Sequence, residues 1–97
     1  MTEHTISGSA VFRVRRNTVS WRPEDEGVVV YDVERDIVYE GNRTALLVIE
    51  RCDGRTTVGN IAAHLADRYR VPFPQILDDV RDFVGQVAKW GLLEQVG

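Results

Sequence analysis

Hydrophobic and polar positions alternate in the first half of the chain and recur at helical spacing in the second half. The alternation begins at Ala10, breaks at residues 16–18 and resumes at residues 19–21. Residues 28–31, three valines followed by a tyrosine, are the strongest strand signal, because β-branched and aromatic side chains favour strands. After a polar turn, residues 37–39 form a further short strand. Strands this close in sequence predict an antiparallel meander.

The composition of one segment predicts a turn, and the chain length limits the number of domains. Residues 23–27 are rich in proline, acidic residues and glycine, and they predict a turn. Residues 1–9 show no periodicity, so we expect a flexible N-terminal segment followed by a single domain over residues 10–97. A chain of 97 residues with 43% hydrophobic side chains is long enough for one packed core and too short for two.

Two helices are predicted after these strands. Asn42 is a suitable N-cap for the first helix, because its side-chain carbonyl can accept from the unpaired amides of the first turn. That helix ends near Gly54, which can take the left-handed conformation. The second helix begins after Thr56 or Thr57, and the prolines within residues 71–74 stop it.

A third helix is predicted from Pro74, which suits the first helical position, to about Trp90, before Gly91 closes it. Its apolar face consists of Ile76, Val80, Phe83, Val84 and Val87. Leu77 and Ala88 widen this face on one flank. An apolar sector wider than one packing surface indicates a second neighbour, either within the domain or in a partner.

The predicted fold class is α+β, with a three-stranded antiparallel sheet followed by three helices, the element count of a winged helix-turn-helix. A DNA-binding transcriptional regulator is therefore an alternative function. The net charge of −3, with acidic residues among the basic ones on the last two helices, disfavours a phosphate backbone as ligand. No apolar run approaches the ~20 residues of a membrane span. The N-terminus lacks the features of a signal peptide, so we expect a cytoplasmic protein.

Candidate catalytic and metal-ligating residues are few. The single cysteine, Cys52, has no histidine near it in sequence, and a free cysteine is most often a small buried hydrophobe. His64 has no second metal ligand at helical spacing. Asp78, Asp79 and Asp82 stabilise the start of a helix as readily as they would serve acid–base chemistry, and contact with a basic partner stays open. We expect no enzyme activity, no metal and no cofactor.

The strand at residues 37–39 is more informative about function than these candidate catalytic residues. As an edge strand it presents unpaired backbone groups, and the flanking Asp36 and Glu40 would discourage self-pairing there. The same edge could accept an extended peptide as an additional strand. The pattern alone leaves both interpretations open.

An ordered series of short motifs extends through residues 19–94. The motifs are residues 28–31, Tyr39 through Asn42-Arg43-Thr44-Ala45, Cys52-Asp53-Gly54, Thr57-Val58, Asp79-Val80-x-x-Phe83 and Gly91-Leu92-Leu93. In this order they resemble the PqqD family of small peptide-binding proteins, also called RiPP precursor recognition elements. These modules hold the leader peptides of ribosomally made, modified peptides. One departure is Glu40-Gly41-Asn42, where the family usually has Leu-Asn, and another is Asn60, where the family favours Glu.

The resemblance implies a three-stranded sheet packed on three helices, without catalysis. It also implies that a leader peptide adds to the third strand in a groove against the third helix. Carried onto this sequence, the strand is Ile37-Val38-Tyr39 and the helix spans roughly residues 75–90. The implied partners are a precursor peptide and a maturation enzyme, often a radical SAM enzyme and otherwise a cyclase, peptidase or dehydratase. We expect a monomer or weak homodimer, with no nucleic acid or membrane partner.

Two flanks of the third helix could face such a peptide. The residues expected to pack inside against the sheet are Val80, Phe83 and Val87. The wall of the groove is expected to be Leu77, Arg81, Val84 and Ala88, with Arg81 at its rim. A hydrophobic anchor of the leader needs an apolar wall more than charge. The opposite flank, with Asp79, Asp82 and Gln86, would suit only a strongly basic leader.

Overall fold

The structure is a computed structural model that describes residues 6–97. Within that range it contains six strands and three helices. The strands are β1 (Val11–Val14), β2 (Val19–Glu24), β3 (Gly27–Asp32), β4 (Ile37–Gly41), β5 (Asp53–Thr57) and β6 (Leu93–Gln95). The helices are α1 (Arg43–Arg51), α2 (Val58–Tyr69) and α3 (Phe73–Lys89).

The strands β2, β3 and β4 form one antiparallel sheet in that order, which confirms the predicted meander. Val28 and Val30 of the central strand are buried, and α1 packs against this strand. The first turn is shorter than predicted, because Pro23 and Glu24 belong to β2 and only residues 25–26 connect it to β3. Pro23 fits there because β2 is an edge strand, where a missing N–H group leaves no bond unmade.

A second antiparallel sheet, in the order β5–β1–β6, joins the two ends of the described chain. Phe12 lies opposite Gln95, and Val11 lies opposite Thr57. The prediction of a single sheet before the helices is wrong in this respect, since residues 53–57 form a strand where the sequence predicts the end of one helix and the start of the next. These strands are short and pair with partners distant in sequence, so local periodicity does not reveal them. The mixed α and β class and the three helices are confirmed, and the winged-helix arrangement stays a prediction.

Local signals set the helix starts. The Asn42 side chain accepts from the Ala45 amide at 2.9 Å, and the Thr57 hydroxyl accepts from the Asn60 amide at 3.1 Å. Both predicted N-caps are therefore confirmed. Gly54 has the expected left-handed backbone, with φ of +82°, but it lies within β5 rather than at the helix end.

The end of α3 also follows the prediction. The Gly91 amide donates to the Ala88 carbonyl at 2.9 Å, and the Leu92 amide donates to the Val87 carbonyl at 3.2 Å. This pair of bonds is a Schellman motif, and it requires a left-handed residue, which Gly91 provides with φ of +82°. The chain then turns directly into β6.

One hydrophobic core joins both sheets and all three helices. Its largest fully buried side chains are Ile61, Leu65, Leu92, Val48, Val58 and Val84. Ile6 is also buried, and the Gly8 carbonyl accepts from the Gly59 amide at 2.7 Å. Residues 6–9 therefore pack against the domain, which differs from the flexible segment expected over residues 1–9. Residues 1–5 of that segment lie outside the described residues.

Candidate functional site

The hydrogen-bond register of β3 determines which way its backbone groups point. The Val33 amide donates to the Thr18 carbonyl at 2.8 Å, just beyond the last paired residues of β2 and β3. Successive residues of an antiparallel strand bond alternately to one neighbour and to the other. Tyr31 and Val29, at steps of two residues from Val33, therefore bond to β2. The residues between them direct their backbone groups to β4.

The same alternation identifies the free groups of β4. Val30 lies opposite Tyr39, and Tyr31 lies opposite Val38. Tyr39 therefore bonds to β3, whereas Val38 and Glu40 direct their N–H and C=O groups away from the sheet. Within the part of the chain that the structure describes, no further backbone hydrogen bond involves Val38 or Glu40. The outer side of β4 is an open edge with two consecutive bonding positions.

The opposite edge of this sheet, formed by β2, is less open. Its outward-facing positions are Val19, Trp21 and Pro23, by the same alternation. The Val19 amide already donates to the Arg15 carbonyl at 2.9 Å, and Pro23 has no amide. Only Trp21 keeps a complete pair of outward backbone groups. An added strand therefore finds two complete donor–acceptor pairs at β4 and one at β2.

The side chains of β4 alternate between the two faces of the sheet. Ile37 and Tyr39 lie on the face that carries the buried Val30, and Tyr39 reaches the end of α3. Val38 lies on the opposite face and is 58% exposed, while Ile37 is 41% exposed. Of the three predicted strand residues, Val38 therefore has outward backbone groups, whereas Ile37 and Tyr39 bond to β3 and share the other face of the sheet.

An aromatic pair joins β4 to the end of α3. The rings of Tyr39 and Trp90 stack with their centroids 5.0 Å apart and their planes 20° apart. Arg35, in the turn before β4, donates to the Trp90 carbonyl at 2.7 Å. The buried Asp32 carboxylate lies 3.8 Å from the Arg35 guanidinium and accepts from the Arg35 backbone amide at 3.1 Å. These contacts close one end of the space between β4 and α3.

The other end of that space is open and forms a cavity of about 440 Å³, here called the β4–α3 groove. Its floor and walls are mostly apolar, with polar residues contributed by the end of β4, the start of α1 and one position of α3. The lining residues are Glu40, Gly41, Asn42, Thr44, Ala45, Val48, Leu65, Ile76, Asp79, Val80 and Phe83. The groove therefore lies directly beside the free backbone groups of Glu40.

Gly41 lines the groove at the end of β4 and allows α1 to pack closely against the strand. A Cβ atom at this position would lie 2.7 Å from the Ala45 Cβ and 3.2 Å from Val28 Cγ1. It would share the sheet face of Tyr39, two residues earlier, which points toward α3. With only hydrogen at Gly41, the Ala45 side chain occupies the space beside the strand, so α1 approaches the backbone of β4 closely.

The helix contributes one stripe to the groove. Ile76, Phe83 and Trp90 are spaced by seven residues, so they lie almost in line along the helix. Ile76 and Phe83 line the groove, and Trp90 stacks on Tyr39 beyond its closed end. The sequence predicts Phe83 inside the core, but it is half-buried and lines the groove. The seven-residue spacing was visible in the sequence and could have identified this stripe.

The four residues predicted as the wall of a peptide groove lie on a different flank of α3 from the residues that line the β4–α3 groove. Val84 is 0% exposed and belongs to the core, so its side chain is inaccessible to a peptide. Leu77 and Ala88 are partly buried against that core, and Arg81 lies 3.5 Å from the Asp78 carboxylate. None of the four predicted wall residues lines the β4–α3 groove, namely Leu77, Arg81, Val84 and Ala88. Val80 and Val87 are buried, as predicted.

Carboxylates dominate the charge around the groove. Glu40 and Asp79 line it, and neither has an ion-pair partner within 4 Å among residues 6–97. Asp82 is exposed one turn along α3 from Asp79. No Lys, Arg or His is among the described residues that line the groove. Arg43, next to Asn42 in sequence, is exposed but is not part of the lining.

A second cavity of about 450 Å³ lies on another side of the domain, between the two sheets and the end of α1. Cys52 contributes to its lining, together with Arg13, Arg16 and Trp21. Burial raises the pKa of the Cys52 thiol to about 12, with a smaller contribution from the charge of Asp53. Because the thiolate is the nucleophilic form, this cysteine is unsuited to nucleophilic chemistry.

Two other titratable groups have shifted pKa values. The Tyr31 hydroxyl donates to the Asp36 carboxylate at 2.7 Å, and this bond raises the pKa of Tyr31. The Asp53 carboxylate accepts from the backbone amides of Arg55 and Thr56, both at 2.9 Å, which lowers its pKa. Both interactions stabilise turns and lie away from the groove.

The described part of the chain lacks the features of a metal site and of a membrane-spanning helix. Residues 6–97 contain no group of three or more His, Cys, Asp or Glu residues placed to hold a metal ion. His64 is exposed. Among the helices in this range, none combines the length and apolar character needed to cross a bilayer.

An open antiparallel edge beside an apolar groove is the arrangement of domains that take up an extended segment as an extra strand. The chain belongs to the PqqD family, because the model of that family, described as coenzyme PQQ synthesis protein D, matches residues 27–93. The match includes β3, β4 and all three helices, and therefore the whole groove. The family that the sequence motifs indicated is thus confirmed.

Three proteins have similar sequences or folds. A PqqA binding protein from Rhizobium meliloti (strain 1021) is 29% identical over 92 residues, which are 94% of this chain and 92% of that protein. The PqqD portion of Methylobacterium extorquens PqqCD, described as a stand-alone RiPP recognition element, is 29% identical, with a TM-score of 0.76 over 91% of this chain and 93% of that chain. TbiB1, solved with the TbiA(beta) leader peptide, has the same fold, with a TM-score of 0.76, 20% identity and coverage of 84% and 94%.

Proposed function

We propose that this protein binds the leader segment of a ribosomally made precursor peptide as an additional strand on β4, and presents that precursor to a separate maturation enzyme. The observation that carries the proposal is the outward direction of the backbone groups of Val38 and Glu40, directly beside the β4–α3 groove. Family membership supports it, as do the names of the two relatives that are 29% identical, a PqqA binding protein and a RiPP recognition element.

The backbone and the groove have separate tasks in this function. Main-chain hydrogen bonds to Val38 and Glu40 give affinity with little dependence on the sequence of the peptide. The groove then selects a segment whose side chains fit beside Phe83 and Ile76. A bound leader keeps the rest of the precursor at a high effective concentration near an enzyme that docks on the complex. The chain itself need supply no chemistry, and the buried Cys52 thiol is in keeping with a non-catalytic role.

The maturation enzyme is the second partner in the proposal. A radical SAM enzyme is our first choice, with a cyclase, peptidase or dehydratase as the other classes. The DNA-binding alternative has no support in the comparisons. Placement in the cytoplasm belongs to the proposal as well, because precursor peptides are made by ribosomes.

The test uses peptides selected from a random-sequence library against the immobilised protein, together with the PqqA peptide of Rhizobium meliloti. Val38→Pro removes the outward amide of Val38 and leaves the ladder to β3 intact, whereas Val38→Thr keeps that amide. We expect Val38→Pro to weaken binding about tenfold, which is the effect of one lost hydrogen bond with its buried partner unpaired. Val38→Thr should bind like the unmodified protein.

Hydrogen exchange in the unmodified protein gives an independent readout. Bound peptide should slow exchange at the Val38 and Glu40 amides, while the inward-facing Tyr39 amide changes little. Strand addition at β4 is wrong if no peptide protects Val38, if protection appears at Trp21 of β2 instead, or if Val38→Pro binds as tightly as Val38→Thr.

A further inference from the structure

We infer that Arg35, held in place by the buried Asp32, is a positioning residue that fixes the open edge of β4 against the end of α3 and so pre-organises the peptide site. This role rests on the proposed function and adds to it two residues that act without touching the peptide. It follows from the burial of Asp32, from the polar contacts of Arg35 and from the way in which β4 and α3 are packed.

The backbones of β4 and α3 pack mainly on other elements rather than on each other. Strand β4 packs against β3 and α1, whereas α3 packs against α2 and β6. The separation between β4 and α3 is therefore set by side chains that bridge the two elements. Among residues 6–97, one hydrogen bond joins the β3–β4 hairpin (residues 27–41) to α3 and its C-terminal turn (residues 73–91). In this bond the Arg35 guanidinium donates to the Trp90 carbonyl at 2.7 Å.

Arg35 binds where the end of α3 has a free acceptor. The last carbonyl groups of a helix have no amide partner within it, and they carry the negative end of the helix dipole. The Arg35 guanidinium supplies both a donor and a positive charge at this point. It also lies close to the backbone, because a Cβ atom on Gly91 would be 3.3 Å from the Arg35 Nη1 atom. The bond is therefore charge-assisted and closely fitted, unlike most surface ion pairs.

Asp32 determines where the Arg35 side chain lies. It is the last residue of β3 and the one buried polar or charged residue among residues 6–97, with 4% of its surface exposed. Its carboxylate accepts from the Arg35 amide at 3.1 Å and lies 3.8 Å from the Arg35 guanidinium. A buried carboxylate is costly unless it is paired and hydrogen-bonded. Asp32 therefore favours the conformation of the turn in which Arg35 lies beside it and reaches α3.

The position of β4 relative to α3 matters because the proposed binding mode uses both elements at once. The peptide backbone bonds to Val38 and Glu40, while its side chains contact α3 across the β4–α3 groove. Tyr39, between these two residues, stacks on the ring of the same Trp90 whose carbonyl binds Arg35. The apparent affinity falls with the fraction of molecules in which the two elements are correctly aligned. Arg35 does not line the groove, so it acts on that fraction and not on the peptide.

Peptide affinity is measured for variants that urea unfolding shows to be fully folded in the assay, so that lower global stability alone leaves the affinity unchanged. The probes are a library-selected peptide and the PqqA peptide of Rhizobium meliloti. Arg35→Gln should weaken binding about three- to tenfold, whereas Arg35→Lys keeps a charged donor and should retain most of the affinity. Asp32→Asn should weaken binding about two- to fivefold. Glu34→Gln, the same acid-to-amide change at an exposed position of the same turn, should have no effect.

Binding kinetics separate positioning from direct contact with the peptide. Fewer aligned molecules lower the association rate and leave the dissociation rate nearly unchanged, because the bound complex keeps its contacts with the peptide. In the variant that combines Asp32→Asn with Arg35→Gln, the two losses should not add, because both act through one junction.

Three results would overturn the positioning role, namely equal affinity of the Arg35→Gln and Arg35→Lys proteins, a loss confined to the dissociation rate, or an Asp32→Asn protein that binds like Glu34→Gln. The Arg35 side chain is 57% exposed, so its variants should fold and decide the question even if Asp32→Asn does not fold. If the peptides still protect the Val38 amide from exchange, the proposed function stands whatever the role of Arg35. If no peptide protects Val38, both fail.

Discussion

Tyr39 and Trp90 stack across the boundary between β4 and the end of α3, with ring centroids 5.0 Å apart. Fifty residues of chain separate them, so this pair fixes the position of the edge strand against the helix at one end of the groove. Arg35 strengthens the same junction through its bond to the Trp90 carbonyl. The stack therefore holds one end of the space between β4 and α3, and the β4–α3 groove lies beyond it, beside Glu40 and Gly41.

This stack should be measurable as a coupling energy. In a double-mutant cycle with Tyr39→Leu and Trp90→Leu, we expect the two substitutions to be non-additive by about 0.5–1.5 kcal/mol in the free energy of unfolding, because stacked aromatic rings attract beyond their buried area. Urea unfolding of the four proteins measures it. A cycle of Tyr39→Leu with Tyr69→Leu, on the exposed end of α2, should be additive. Additivity in the first cycle would show that the stack contributes nothing.

Val84 should behave as a core residue. Val84→Glu places a carboxylate where the side chain has no contact with water and no cationic partner is described, so we expect a loss of about 3 kcal/mol or more and unfolding under ordinary conditions. Gln86→Glu introduces the same charge at an exposed position of the same helix and should leave the thermal midpoint nearly unchanged. A folded Val84→Glu protein, seen by circular dichroism, would contradict the packing described for α3.

The two flanks of α3 can be compared by truncating similarly half-buried residues. Phe83→Ala removes a wall of the β4–α3 groove and should weaken peptide binding about tenfold or more. Leu77→Ala removes a residue on the other flank and should change affinity less than about twofold. Both variants should lose a comparable amount of stability, about 1–3 kcal/mol. Calorimetric titration with a library-selected peptide measures the difference, and the reverse order would place the peptide on the Leu77 flank.

Cys52 should resist alkylation in the native protein. Its side chain is buried, and burial raises the pKa of the thiol to about 12, so very little thiolate is present near pH 8. We expect iodoacetamide to label it only on the timescale of unfolding, and rapidly in urea, as followed by mass spectrometry. Native labelling as fast as that of a free thiol would contradict the described burial.

Asp53 should make stability depend on pH in the acid range. Its amide partners lower the pKa below the ordinary value of 3.8, so the folded state favours the carboxylate. The resulting stabilisation is complete above pH 3.8 and is lost as the pH falls through the lowered native value. Asp53→Asn keeps an acceptor oxygen and removes the titration. The stability difference between the two proteins, from urea unfolding at stepwise lower pH, should therefore shrink toward low pH, and a constant difference would contradict the shift.

Much of the local structure is determined by the sequence itself. Asn42 and Thr57 cap their helices because their side chains reach amides three residues ahead, and Gly91 ends α3 because it accepts a left-handed backbone. The three valines before Tyr31 form the central strand of the meander for equally local reasons of side-chain shape. The ordered motifs also identified the family, which the match over residues 27–93 confirms. The proposed peptide edge, at Ile37, Val38 and Tyr39, followed from the same motifs.

Only the tertiary structure decided which side of α3 meets the edge strand. The helical pattern shows a wide apolar sector, but rotation of the helix within that sector depends on what packs against each side. Ile6 approaches Gly85, and β6 returns beside β1, so the Val84 side of the helix enters the core and the Ile76–Phe83 side is left beside β4. The sheet β5–β1–β6 escaped prediction for the same reason, since its strands pair with distant residues. Whether a side chain is buried depends on the residues that pack around it in the tertiary structure, so a local sequence pattern does not determine it.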